Sequence, residues 1–68
     1  MNEIAVLFGK NVRAKRKAQG LSQDKLALTA EIDRSYVGRI ERGEVNVTIE
    51  KAYVLARILK CDVRDLLP

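Results

Sequence analysis

Apolar residues recur along this chain at intervals of three and four, the spacing that lines one face of a helix rather than one face of a strand. Ala5, Phe8, Val12 and Arg16 stand at that interval between Ile4 and Ala18, with Ile4 and Leu7 beside them. They predict a first helix whose inner stripe ends in a charge. Gly20 follows as a left-handed terminator. Ser22 is suited to cap a second helix, and Asp24 in its first turn suits the helix dipole. Leu26, Ala27 and Ala30 form its inner face. Asp33 opens a third segment that reaches Arg42, turns Val37 and Ile40 inward and ends at Gly43. After the loop Glu44–Val47, Thr48 caps a fourth segment whose stripe is Ile49, Ala52, Leu55, Ala56 and Leu59. Asp62 and Asp65 resemble a capping box and open a short fifth helix carrying Val63, Leu66 and Leu67. No β-branched run alternates with period two, and the single proline, Pro68, stands last. The pattern predicts an all-α, compact five-helix domain over residues 1–68.

The link between the second and third segments is only Ala30–Ile32. Two helices joined so closely form a helix-turn-helix unit. With Val37 and Ile40 facing inward, Arg34, Ser35, Gly38 and Arg39 fall on the outer face of the third segment. A guanidinium fork can bond O6 and N7 of guanine, which is worth about 1–3 kcal/mol of discrimination. Without a duplex to meet, the same arginines would be ordinary solvated charges.

Composition narrows the partner. The 68 residues allow one domain. A domain of that size buries about 60% of its unfolded surface and needs good helix packing or a partner. Hydrophobic residues make up 47% of the chain, too many for a disordered tail. The net charge of +4 favours an anionic partner, either nucleic acid or a membrane surface. The longest apolar runs, Ile4–Phe8 and Ala52–Ala56, are five residues each, whereas a spanning helix needs about 20. No secretory leader pattern opens the chain. A basic amphipathic membrane binder would leave the capping residues and turn glycines unexplained. Cys61 is the one cysteine and can form no internal disulfide, which fits the cytoplasm. With no histidine and one cysteine, neither a Ser–His or Cys–His pair nor a zinc site can be assembled. No enzyme activity, cofactor, metal or small-molecule substrate is expected.

The run Leu21-Ser22-Gln23-Asp24-Lys25-Leu26-Ala27, followed by Ile32-Asp33-Arg34-Ser35-Tyr36-Val37 and by Ile40-Glu41-Arg42-Gly43, resembles the Cro/C1-type (XRE) helix-turn-helix family. The resemblance extends from about Phe8 to Leu67. It implies a lambda-repressor-like fold, and a transcriptional regulator comparable to phage-type repressors and restriction–modification controller proteins. It implies that Arg34, Ser35 and Arg39 read base edges in the major groove. It implies phosphate contacts for Gln23, at a helix N-terminus suited to anions, and for Arg42, which can equally serve the helix C-terminus. Tyr36 either reaches a phosphate or packs against the second helix. Arg16 and Glu41 are implied as a partly buried ion pair tying the first helix to the third, which explains a charge on an apolar stripe. Lys10, Arg13, Lys15, Arg16 and Lys17 crowd the first helix with charge, either a solvated face or a source of salt-dependent attraction.

The chain departs from the family pattern in places. Glu31 stands where a turn glycine is usual, and Lys60 where the fourth helix usually ends in glycine or another small residue. Gly38 either weakens the reading helix, by about 1 kcal/mol relative to alanine, or lets it approach the groove. Cys61 takes the place of a core residue and is expected to be buried.

One reading helix covers few base pairs, so double-stranded DNA with two half-sites and a homodimer are expected. Val54, Val63 and Leu67 are apolar yet off the inner stripes. They either form a self-complementary patch, as the family's C-terminal region often does, or are isolated surface hydrophobes. The alternative function is an antitoxin-like protein-interaction module that binds DNA secondarily. The chain offers little room for the toxin-binding surface it would need.

Overall fold

The computed structural model describes residues 3–68. Its α-helices are α1 (Glu3–Ala18), α2 (Gln23–Ala30), α3 (Arg34–Glu41) and α4 (Ile49–Ile58). Ser22 caps α2 by accepting from the Lys25 amide at 3.0 Å, and Thr48 caps α4 by accepting from the Lys51 amide at 3.0 Å. Asp33 has the extended backbone of a cap, but its side chain makes no capping bond.

All four helices end in the same way. The chain turns left-handed at Gly20, Glu31, Gly43 and Lys60, with φ of 69°, 58°, 74° and 57°. The amide after each of these residues reaches back to a helix carbonyl: Leu21 to Arg16, Ile32 to Ala27, Glu44 to Arg39 and Cys61 to Ala56. This is the Schellman closure, which satisfies carbonyls that the helix leaves open. Two of the four left-handed sites carry side chains, and each is strained by about 1 kcal/mol or more. Glu31→Gly is therefore expected to stabilise the domain by about 1 kcal/mol, raising the thermal midpoint by about 4–8 °C. An unchanged midpoint in a thermal melt would show that the turn stores no strain.

The core joins Phe8 and Val12 of α1, Leu26, Ala27 and Ala30 of α2, Val37 and Ile40 of α3, and Ala52, Leu55 and Ala56 of α4, with Leu59 and Leu66 beyond it. Each Leu- or Ile-sized side chain removed from water contributes about 1.5–3 kcal/mol. The C-terminal segment is also tied to α1, since Asn11 Nδ2 donates to the Leu66 carbonyl at 3.0 Å.

Two glycines let α1 and the end of α3 approach closely. A Cβ on Gly9 would overlap the carbonyl oxygen of Ile40 and stand 2.8 Å from that of Glu41. A Cβ on Gly43 would stand 2.6 Å from Cα of Val6.

Three expectations are corrected. The fifth helix is a three-residue 3-10 turn, Val63–Asp65. The capping box of Asp62 and Asp65 does form, but the next amides close i to i+3 bonds, Asp65 to Asp62 and Leu66 to Val63, and no α-helical bond follows. Leu66 is nonetheless fully buried. Ile49 does not belong to the inner stripe of α4: it is 79% exposed, opening the helix one turn before the first core contact at Ala52. Cys61 is half-buried rather than buried, packed against the core as the residue that closes α4. Desolvation there raises its thiol pKa above the ordinary value.

Candidate nucleic-acid interface

The turn Glu31–Asp33 sets α3 across α2. Val37, Ile40 and Glu41 are buried, which leaves Arg34, Ser35 and Arg39 exposed on the far side of α3. With Gln23, Gly38, Arg42 and Glu44 they line one concavity of about 410 Å³. Gly38 is buried beneath Arg42, whose Nη1 would lie 3.0 Å from an added Cβ. Five residues expected to face DNA from the sequence, Gln23, Arg34, Ser35, Arg39 and Arg42, are thus brought together. Tyr36 is not among them; it is half-buried and packs against the core.

Every arginine of this face meets a carboxylate. Arg34 Nε lies 2.9 Å from Asp24 Oδ1. Arg42 donates to Glu44 through Nε at 2.7 Å and Nη2 at 3.4 Å. Arg39 Nε is 3.9 Å from the Oε1 of the same Glu44. The hydrogen bond from Arg42 holds the Glu44 carboxyl below the usual carboxylate range, and the same bond raises Arg42. All these groups are exposed, and pairs of that kind contribute little. The arginines can give them up to a phosphate or a base edge. Sequence reasoning missed the acidic half of the face. In the sequence Asp24 signals only a dipole partner and Glu44 only a loop residue.

Beneath the face lies an ionic centre. Arg16 Nε donates to Glu41 Oε2 at 2.6 Å, and Nη2 to Oε1 at 3.1 Å. Arg16 Nη1 donates to the Leu21 carbonyl at 2.9 Å. Gln23 Nε2 donates to Glu41 Oε1 at 3.0 Å. The Arg16 and Glu41 side chains are 10% and 4% exposed, and among the described residues no buried side-chain polar atom lacks a partner. Gln23 therefore connects the two levels. One of its amide hydrogens is held by Glu41, and the same side chain lines the concavity above.

On another side, Leu67 lines an apolar groove of about 150 Å³ with Ile4, Phe8, Val45, Val47 and Ile49. Val54 and Val63 do not line it; both are half-buried, and Val63 packs against the core. Tyr53 is 56% exposed, which nothing in its spacing signals. Among the described residues no helix is long and apolar enough to cross a membrane, and no cluster of three or more acidic, Cys or His residues is placed to hold a metal ion.

A close helix pair that turns an arginine-lined face outward defines a helix-turn-helix DNA-binding domain. The helix-turn-helix family model matches residues 12–66, and the chain belongs to that family, in its Cro/C1-type (XRE) branch. It is a DNA-binding transcriptional regulator. Among its relatives, the control protein C.SmaI of Serratia marcescens is 38% identical over 96% of this chain and 77% of that protein. The control protein C.BamHI of Bacillus amyloliquefaciens is 37% identical over 97% of this chain and 83% of that protein. The solved structure of the restriction-modification controller protein C.AhdI from Aeromonas hydrophila superposes with a TM-score of 0.87 at 44% identity, covering 93% of this chain and 96% of that one.

Proposed function

We propose that this chain, as a homodimer in the cytoplasm, reads a two-fold operator and thereby controls genes, in a system of the restriction–modification kind that its relatives' names describe. The observation that carries the reading is the phase of α3. Val37 and Ile40 lock its back into the core, while Arg34, Ser35 and Arg39 stand exposed on one concave face. Those three read base edges. Gln23 and Arg42, which line the same concavity, take phosphates. Tyr36 offers the backbone only the part of its ring left outside the core. Arg16 and Glu41 hold the frame. The dimer uses the apolar C-terminal region, where Leu67 is exposed beside its groove neighbours Ile4 and Ile49, with what Val54 and Val63 leave exposed.

Selection of bound duplexes from a random pool tests this. The winning sequence is expected to hold two half-sites about one helical turn, 10–10.5 bp, apart. Arg39→Ala is expected to lose about 1–3 kcal/mol of discrimination at one base pair of each half-site with an unchanged circular dichroism spectrum. Full discrimination by that variant would remove Arg39 from the reading set. A monomer on a half-site would remove the dimer.

A further inference from the structure

Three of the four helix closures put an apolar residue after the left-handed position. Leu21, Ile32 and Cys61 all pack against the core. That arrangement is common, because the residue there touches the third helical position from the end and profits from an apolar contact. In α3 the same place belongs to Glu44, and the position it touches is Arg39. The Glu44 amide donates to the Arg39 carbonyl at 2.9 Å, and the Gly43 amide to that of Ile40 at 3.0 Å. The closure brings the carboxylate back over the end of the reading helix. Oε1 lies 3.9 Å from Arg39 Nε, and the fork of Arg42 grips both oxygens at 2.7 and 3.4 Å. Backbone bonds fix the residue on one side and a guanidinium on the other. It is a negative charge built into the face that meets an anionic duplex.

We propose that Glu44 is a specificity-determining positioning residue, which holds Arg39 and Arg42 in one arrangement and withholds affinity from DNA that offers Arg39 no matching base. The proposal rests on the base-reading role of Arg39. A non-cognate duplex attracts the arginines by charge alone, and there Glu44 opposes binding. On the operator Arg39 must present its fork in a fixed direction. The carboxylate is itself held by the two bonds from Arg42, so it biases the direction of the Arg39 side chain 3.9 Å away, and a biased side chain loses less freedom on docking than a loose one. Removing Glu44 therefore helps the wrong complex and does not help the right one equally.

The test titrates three duplexes at salt from about 50 to 200 mM: the selected operator, the operator with the Arg39 base pair replaced, and an unrelated sequence. Glu44→Gln is expected to tighten binding to the unrelated duplex and to steepen its salt slope by about 0.9, one phosphate contact. Preference for the operator over the replaced site is expected to fall about fivefold, the low end of what one base-reading arginine supplies. Glu44→Asp keeps the charge but shortens the reach, and should lower the preference without tightening the unrelated duplex. In the Arg39→Ala background, Glu44→Gln should leave the remaining preference where it was. Parallel tightening on all three duplexes would overturn the proposal, because Glu44 would then be a charge and nothing more. Unchanged preference in both Glu44 variants would also overturn it. Full preference in Arg39→Ala alone would instead remove the base-reading assignment beneath it.

Discussion

Glu41→Ala is expected to leave the domain mostly unfolded at room temperature. The variant strips Arg16, whose side chain is only 10% exposed, of the acceptor of two of its three hydrogen bonds, at 2.6 and 3.1 Å. A buried charge left without its partner costs about 3–5 kcal/mol. A single core in a domain this small supplies about 3–5 kcal/mol in all, so the loss is comparable to the whole. Gln23 loses its inner acceptor as well, but it is half-buried and can turn outward. Removing both charges should behave differently. Arg16→Met with Glu41→Leu is expected to be neutral or stabilising by about 1–4 kcal/mol, because no orphan remains. Urea unfolding followed by circular dichroism checks both. A Glu41→Ala variant that lost under about 1 kcal/mol would place the pair with exposed ones.

Gly9→Ala is the second large effect, and it runs against helix propensity. In a helix interior this exchange ordinarily gains about 0.5–1 kcal/mol. Here the new methyl overlaps the Ile40 carbonyl oxygen and stands 2.8 Å from that of Glu41. Neither is the end of a flexible side chain, so α1 must move off α3. Overpacking of that kind costs about 1–3 kcal/mol and sometimes more; the upper end is expected, because backbone has to shift. Gly20→Ala is the control. Its φ is +69°, but nothing lies within 4 Å of an added Cβ, so it should lose only the left-handed strain of about 1 kcal/mol. DNA titration adds a second readout, since displacing α3 should weaken Gly9→Ala on the operator while Gly20→Ala binds normally. A stabilised Gly9→Ala variant would refute the close seam.

What the sequence disclosed follows from what periodicity measures. Spacing reports the rotational phase of a helix, so Val37 and Ile40 sufficed to turn Arg34, Ser35 and Arg39 outward. A charge on an apolar stripe demanded a partner, and the family resemblance supplied Glu41 for Arg16. Phase says less about where a helix begins or how far it runs. Ile49 obeys the spacing of α4 yet precedes its first contact. The capping box of Asp62 and Asp65 looks the same in letters whether a full helix or a 3-10 turn follows. Glycine is silent in a hydrophobic pattern, so nothing marked Gly9 as the point where two backbones meet. Glu44 lies in no periodic segment, and its closeness to Arg39 and Arg42 comes from a backbone closure that only coordinates reveal.

The glycine seam has a consequence for how operators are chosen. With Gly9 against α3 and Gly43 against Val6, α3 cannot be pressed closer to its own scaffold at either point. If so close a seam leaves α3 little room to adjust, more of the fit to a duplex falls to the nucleic acid. Base pairs that no side chain touches then gain a vote. Duplexes with flexible pyrimidine–purine steps beside the contacted base pairs should then bind better than duplexes with stiff A-tracts there.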